Sequence, residues 1–128
     1  MKKLLFFLLT MLLFCACQES IEDRAERDAR EATTKRCPLR MSKDIVLERI
    51  DFDKATRTWQ QTHLWDIDTT IVLSEEAIKE VLLTELLNAP SYKAYRDAGF
   101  NFKYVYCRMT SPKDTVINMT LTSKDYNR

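Results

Sequence analysis

Glycine and histidine are almost absent from this chain of 128 residues, which contains one of each, Gly99 and His63. A single glycine disfavours a tight backbone loop around phosphate groups. The familiar Gly-rich, Gly-x-Ser-x-Gly and His-Glu-x-x-His motifs are all missing. These absences disfavour an enzyme, although a hydrolase that uses only carboxylates stays open. We therefore predict no catalytic residue, no metal ligand and no cofactor.

An excess of charge of either sign is also missing. The chain has 20 Lys and Arg residues against 19 Asp and Glu residues, which gives a formal net charge of +1. Proteins that bind nucleic acid through its phosphates usually carry a clear basic excess. We therefore expect no nucleic-acid partner.

No apolar run is long enough for a permanent membrane span. The longest run, residues 4–14, is interrupted only by Thr10, and as a helix it would cover about half of a ~30 Å hydrocarbon core. Lys2 and Lys3 precede this run, and the combination is typical of a secretory signal peptide. We predict that residues 1–16 form the signal peptide.

The end of this run, Leu12-Leu13-Phe14-Cys15-Ala16-Cys17, resembles a bacterial lipobox. In a lipobox, the signal peptidase cuts after a small residue and before a cysteine that carries lipid on its sulfur. Ala16 meets this requirement, whereas Phe14 does not. The resemblance therefore implies lipidation at Cys17 with fatty acyl chains such as palmitate, which would anchor the protein in the bacterial envelope, at the outer membrane. An ordinary signal peptide cut near Ala16 would instead leave Cys17 as a thiol.

The residues that follow, Gln18-Glu19-Ser20-Ile21-Glu22-Asp23, resemble the start of small lipoproteins from Bacteroidetes-type bacteria. In that group, acidic residues after the lipidated cysteine favour export to the cell surface. The group also attaches O-glycans to Asp-Thr motifs, and this would nominate Thr69 and Thr115 as glycosylation sites. Removal of the signal peptide would leave 18 basic and 19 acidic residues and a net charge of −1.

Two of the four cysteines are left over after this assignment. Cys15 would leave with the signal peptide and Cys17 would carry lipid, so Cys37 and Cys107 remain as one possible pair. An exported protein can keep a disulfide bond, and this bond would close a loop of about seventy residues. The alternative is a pair of buried thiols.

A highly charged stretch separates the lipidation site from the rest of the chain. Residues 17–36 contain acidic and basic residues at helical spacing, and we interpret them as a helical or disordered spacer that holds the domain off the membrane. A thin stripe of small residues offers an alternative, in which this segment rests on the domain or on a partner helix; the stripe consists of Ile21, Ala25, Ala29 and Ala32. We place a single domain at residues 37–128.

The pattern of this domain predicts an α+β fold with a four-stranded antiparallel sheet in the order strand, strand, helix, strand, strand. The predicted strands cover residues 44–52, 57–67, 100–109 and 115–123, from alternating apolar positions and turn residues. Ser74 caps the one main helix, whose leucine-rich stripe packs on a face of the sheet, and Gly99 ends a shorter helical turn.

The aromatic residues of two strands form the candidate ligand-binding site. Period-two alternation places Trp59, His63 and Trp65 on one side of the second strand, and Tyr104 and Tyr106 share a side of the third. Such residues could stack on a sugar ring or pack in the core under the helix, and exposure decides between the two. The Asp pairs at 51/53 and 66/68 resemble cation ligands, but Asp is also common in turns.

Two classes of function remain. The first is a lipid-anchored, non-catalytic module that binds an envelope protein or a glycan through its sheet face or a hairpin tip. The second is a small envelope hydrolase or an inhibitor of one. Only an exposed concave patch with converging carboxylates would favour the hydrolase. We expect the binding module.

Overall fold

The strands of this protein form one mixed sheet, and several helices precede, separate and follow them along the chain. The computed structural model describes residues 19–68 and 72–127. The elements are α1 (Ile21–Arg36), β1 (Leu39–Arg40), β2 (Ile45–Asp53), β3 (Thr58–Trp65), α2 (Glu75–Asn88), a 3₁₀ turn (Pro90–Tyr92), α3 (Lys93–Asp97), β4 (Asn101–Arg108), β5 (Thr115–Leu121) and α4 (Ser123–Tyr126). The predicted α+β class is confirmed.

The sheet differs in detail from the four-stranded antiparallel sheet that the sequence predicts. Its five strands follow the order β1-β2-β3-β4-β5, and β3 pairs with β4 in parallel while the other neighbours are antiparallel. The parallel pair follows from the connection, since helices α2 and α3 return the chain to the end of the sheet where β3 began. The expectation of a single main helix is also wrong, because α1 is longer than α2.

Strand register divides the side chains between two sides of the sheet. One side, which we call the helix side, carries a row formed by Phe52, Trp59, Phe102 and Leu121. A second row on the same side is formed by Leu47, His63, Tyr106 and Ile117. The opposite side is largely polar and includes Asp51, Gln60, Lys103 and Thr120 in one shallow depression. We call it the open side.

Aromatic side chains from the helices cover most of the first row, in which only Phe52 is partly buried. Phe102 and Leu121 are both 0% exposed. Tyr95 of α3 stacks on Trp59 with ring centroids 5.2 Å apart, and Tyr126 of α4 meets Phe102 edge to face at 5.8 Å. The Tyr126 hydroxyl also donates a hydrogen bond to the Phe100 carbonyl at 2.7 Å. This region is the centre of the hydrophobic core.

Helix α1 packs on the sheet, which is the alternative to the spacer interpretation. Its stripe of Ala25, Ala29 and Ala32 is buried in the same core, since small side chains allow the helix to lie close to β2. The hydroxyl of Thr33 donates to the Ile50 carbonyl at 2.8 Å and accepts from the Ile50 N–H at 2.9 Å. The charged residues of this segment form the outer face of a docked helix.

Contacts at the N-terminal end and in the middle of the stripe hold α1 in place. Lys54, in the β2–β3 turn, pairs with Asp23 at 2.5 Å, and Arg57 pairs with Glu22 at 3.2 Å. The Tyr95 hydroxyl donates to the Asp28 carboxylate, which contributes to raising the pKa of Tyr95, after burial as the main cause. These contacts also join α1 to α3.

The prediction of a disulfide bond between Cys37 and Cys107 is wrong, because both residues are free thiols. Cys37 lines a cavity on the helix side together with Trp59. Cys107 pairs in register with Leu64, which alternates with His63 and therefore lies on the open side. The sheet separates the two sulfurs. Burial raises the pKa of the Cys37 thiol above its usual value.

Local signals in the sequence locate several boundaries correctly. The Ser74 side chain accepts a hydrogen bond from the Ala77 N–H at 3.3 Å and so caps α2. Gly99 has a φ of 77°, the left-handed conformation that glycine adopts without strain at the end of a helix. The end of the last strand is corrected, since β5 stops at Leu121 and residues 123–126 form α4.

Candidate functional site: an apolar groove between a helix and the sheet

An apolar groove lies between α2 and the helix side of the sheet, beside the second row of side chains. Its volume is about 350 Å³. The groove is lined by Ile45, Trp65, Val72, Leu73, Ser74, Ala77, Ile78, Val81, Leu82, Glu85, Tyr106 and Ile117. Most of these side chains are hydrocarbon, so the groove is suited to an apolar group with few polar contacts.

The helix wall of the groove is incompletely buried. Leu82, Leu83 and Leu86 turn into the core, whereas Val81 is 58% exposed. Val72, which precedes the helix, is 94% exposed. Isolated exposed apolar residues are common, but these two line the same concave surface and therefore enlarge one apolar patch. The patch can gain free energy when a partner covers it.

Three stacked or edge-packed rings form the sheet wall. His63 and Tyr106 stack with centroids 4.3 Å apart and planes 8° from parallel. Trp65 meets Tyr106 edge to face at 5.9 Å. His63 is only 3% exposed, whereas Trp65 and Tyr106 are half-buried and line the groove. The rings of Trp65 and Tyr106 are therefore available to a ligand, and the buried ring of His63 packs against Tyr106 from the neighbouring strand.

Burial keeps His63 neutral. Loss of solvent lowers its pKa from 6.5 to about 4, although a backbone hydrogen bond with Val105 acts in the opposite direction. Its Nδ1 atom is buried and has no hydrogen-bond partner among the described residues. A neutral imidazole stacked flat on a phenol ring acts as packing material, and the geometry gives it no access to a substrate.

The groove contains one carboxylate among the described residues that line it, Glu85. Burial, and after it the nearby negative charge of Glu85, together raise the pKa of Tyr106 to about 12. The phenol therefore remains protonated at neutral pH and can donate a hydrogen bond. The site offers apolar contact, one O–H donor and one negative charge, and converging carboxylates are not found among the described lining residues.

The profile of a domain of unknown function, DUF8479, matches residues 20–117. This chain belongs to that family. The matched range begins at the N-cap of α1 and ends within β5, so it contains α1, the groove and most of the sheet. Comparison with the curated proteins gave no match.

Solved structures of three bacterial proteins share the fold. A candidate secreted protein from Pseudomonas aeruginosa superposes with a TM-score of 0.70 at 11% identity, over 85% of this chain and 99% of that chain. EpsS, a pilotin of the Vibrio vulnificus type 2 secretion system, gives 0.65 at 12% identity, over 82% and 90%. AspS, a type II secretion pilotin from Vibrio cholerae, gives 0.62 at 12% identity, over 81% and 90%. At this identity the likeness shows the fold alone.

The five aromatic residues of the candidate site lie on the helix side, but only two of them reach a surface concavity at the groove. Trp59 and Tyr104 are 4% and 5% exposed and belong to the core. Trp65 and Tyr106 line the groove, and His63 stacks on Tyr106. The aliphatic lining, including Ile45, Val81 and Ile117, was not among the predicted site residues. The sequence signal for this lining was the breadth of the apolar stripe on α2. A helix that only packs against a sheet needs a narrower stripe, without an apolar residue at position 81.

The remaining candidate residues lie outside the groove or outside the described residues. Cys17 and Thr69 belong to the residues that the structure does not describe. Thr115 is exposed at the start of β5, where a modifying enzyme could reach it. Within residues 19–68 and 72–127, no group of three or more His, Cys, Asp or Glu side chains is arranged to hold a metal ion. In the same ranges, no helix has the length and apolar character of a membrane span.

Proposed function

We propose that this protein is a lipid-anchored module of the bacterial envelope that binds an apolar segment of a protein partner in the groove, without catalysis. The observation that carries this proposal is the exposed apolar wall at Val72 and Val81, opposite the half-buried rings of Trp65 and Tyr106. A groove of this size accepts a few large side chains from a partner. The alternative function, a hydrolase that uses only carboxylates, would instead require a pair of converging carboxylates in the site.

Charge refines the chemistry of the partner. Glu85 lies beside the apolar surface and is exposed, so a basic residue next to the inserted apolar side chains would be favoured. An acidic residue in that place would be repelled. We therefore propose an apolar segment flanked by Lys or Arg, and this preference would act mainly on specificity and on the rate of association.

The anchor follows from the start of the chain. Lipidation at Cys17 would hold the protein at the outer membrane, and the acidic residues after it resemble those of surface-exposed lipoproteins in Bacteroidetes-type bacteria. In this setting Thr69 and Thr115 are proposed O-glycan acceptors. The two Vibrio proteins that share the fold are named as pilotins of type II secretion systems. This supports an envelope protein as the partner and does not identify it.

A photocrosslinking amino acid at position 81 tests the groove in living cells. We expect the full-length protein to form one discrete adduct, which mass spectrometry identifies. The matched control is position 87, because Leu87 is an equally apolar residue of the same helix that is 45% exposed and does not line the groove. Equal adducts from both positions, or none from position 81, would contradict the proposed site.

Matched aspartate variants then measure binding of the identified partner. Val81→Asp places a second negative charge beside Glu85 in the apolar wall, so we expect affinity to fall by about tenfold or more. Leu87→Asp should leave affinity within about twofold. Both positions are exposed, and the free energy of unfolding should change by about 0.5 kcal/mol or less in each variant. A loss of affinity that is equal in the two variants would argue against the groove.

Metabolic labelling with a palmitate analogue tests the anchor separately. We expect label in the wild-type protein and none in Cys17→Ser, which should also lose its association with the membrane fraction. Equal labelling of the two proteins would remove the anchor from the proposal. The groove experiments would stand, because they do not depend on the lipid.

A further inference from the structure

The two edges of the sheet are treated differently. At one edge, β1 pairs with part of β2, and the Thr33 hydroxyl satisfies both backbone groups of Ile50 further along the strand. At the other edge, β5 pairs with β4 on its inner side only. Within residues 19–68 and 72–127, no backbone hydrogen bond reaches the outer side of β5.

The sequence of β5 lacks two usual protections of a free edge, charge and proline, and its pairing with β4 is irregular only at residues 115–117. Exposed edge strands generally carry charged residues or proline, or are very short, because their unpaired backbone groups would otherwise pair with another chain. β5 has seven residues, Thr115-Val116-Ile117-Asn118-Met119-Thr120-Leu121, with neither charge nor proline. By contrast, the protected strand β2 contains four charged residues, Glu48, Arg49, Asp51 and Asp53. The free edge therefore has the character of an interface.

We propose that β5 pairs antiparallel with β5 of a second copy of this chain, about a two-fold axis at Asn118, and so joins two sheets into one of ten strands. This register places Ile117 opposite Met119 of the second copy, and Val116 opposite Thr120 of the second copy. From Ile117 to Leu121 the side chains of β5 alternate regularly, beyond the register shift at residues 115–117, so the apolar helix sides of the two sheets align.

The pattern around Asn118 favours a second copy over an unrelated strand. A residue on a two-fold axis faces itself, so a charged side chain there would repel its own copy. An amide avoids this problem, since each Asn118 side chain both donates and accepts hydrogen bonds. Val116 and Met119 are only half-buried in one copy, and both would be covered further in the pair. This inference is independent of the partner proposed for the groove.

The oligomeric state of the full-length protein in detergent tests the pairing. We expect a dimer by sedimentation, and Asn118→Lys should weaken its association by about tenfold because two ammonium groups then face each other across the axis. Asp51→Asn is the matched control, since it makes the same change in charge on the open side of β2 and should leave the dimer intact. A wild-type protein that stays monomeric up to about 100 μM would overturn the proposal.

Cysteine crosslinking fixes the register and does not depend on a disruptive variant. Asn118→Cys should give a covalent dimer with a short thiol crosslinker, while Lys103→Cys, on the open side of the inner strand β4, should give no more than wild type. Val116→Cys and Thr120→Cys should crosslink with each other more strongly than either does with itself. Crosslinking of Asn118→Cys only to a different protein would overturn the two-fold pairing in favour of a foreign strand.

Discussion

The two ends of the helix side of the sheet use the same kinds of residue for different purposes. At one end, the row from Phe52 to Leu121 is sealed by rings from α3 and α4. At the other end, Tyr106 and Ile117 line the groove that remains between the sheet and α2. Trp59 and Trp65 lie on the same strand, six residues apart, and one is core while the other lines a concave surface.

The difference shows that cover, and not residue type, separates a core from a binding surface. Tyr92 and Tyr95 pack against Trp59 with ring centroids 5.6 and 5.2 Å away, and Phe100 stacks on Tyr95 in turn. No ring from a helix reaches Trp65 in the same way among the described residues; its ring contact is with Tyr106 of the neighbouring strand. Two aromatic residues that are equivalent in a strand pattern thus acquire different roles from the helices above them.

The strongest way to break the comparison is to empty the sealed end. Phe102→Ala removes a side chain that is 0% exposed and leaves a cavity under α4, so we expect a loss of about 3–5 kcal/mol in the free energy of unfolding. Val81→Ala at the groove should cost about 0.5 kcal/mol or less, because Val81 is already 58% exposed. Urea denaturation measures both. Similar losses in the two variants would show that the groove is as tightly packed as the core.

Acid should lower the stability of the protein through His63, which is buried between the sealed end and the groove. The folded pKa of about 4 lies below the ordinary 6.5, so the unfolded chain takes up the proton first. Stability is therefore fully present above about pH 6.5 and falls by up to about 3 kcal/mol as the pH is lowered toward 4. His63→Phe keeps a ring on Tyr106 and removes the titration, so its stability should be flat over this range. An equal decline in both proteins would assign the acid sensitivity to other groups.

A smaller effect is expected where α1 is fastened to the sheet and completes the sealed region. Thr33→Val keeps the shape of the side chain but removes the hydroxyl that bonds to the N–H and the carbonyl of Ile50. Leaving these groups unpaired should cost about 1–3 kcal/mol. Thr34→Val is the control, because the Thr34 hydroxyl bonds only within α1, to the carbonyls of Arg30 and Glu31, and is exposed. Hydrogen exchange at the Ile50 amide reports on the same bond.

Local patterns predicted the elements of this fold better than their assembly. The cap at Ser74, the positive φ at Gly99 and the alternation in β3 depend on neighbouring residues, and each is present in the structure. The parallel pairing of β3 with β4 depends on the path of the connection over residues 66–100, which contains α2 and α3, and local alternation does not encode this path. Similarly, counting cysteines left Cys37 and Cys107 as a pair that could form a disulfide bond, but the two lie on opposite sides of the sheet.

The candidate site was predictable in its aromatic half only. Trp65 and Tyr106 follow from strand alternation, whereas the exposure of Val81 depends on how far α2 stands from the sheet. The charged stretch before Cys37 is a similar case. The many charges of this stretch indicate an exposed spacer, and a stripe of three alanines is a weak signal beside them. Small residues are nevertheless what a helix that packs closely on a sheet requires.

The docking of α1 would also limit how far a domain that is anchored through Cys17 can stand from a membrane. Three residues lie between Cys17 and Ile21, the first residue of the helix, and the four steps of extended chain from Cys17 to Ile21 span at most about 15 Å. A lipid on Cys17 would therefore keep the folded domain close to the bilayer surface, with little freedom to reach distant partners. A partner for the groove would have to present its binding segment within the headgroup region or just above it, so lipid anchoring would restrict binding to proteins that are themselves at the membrane.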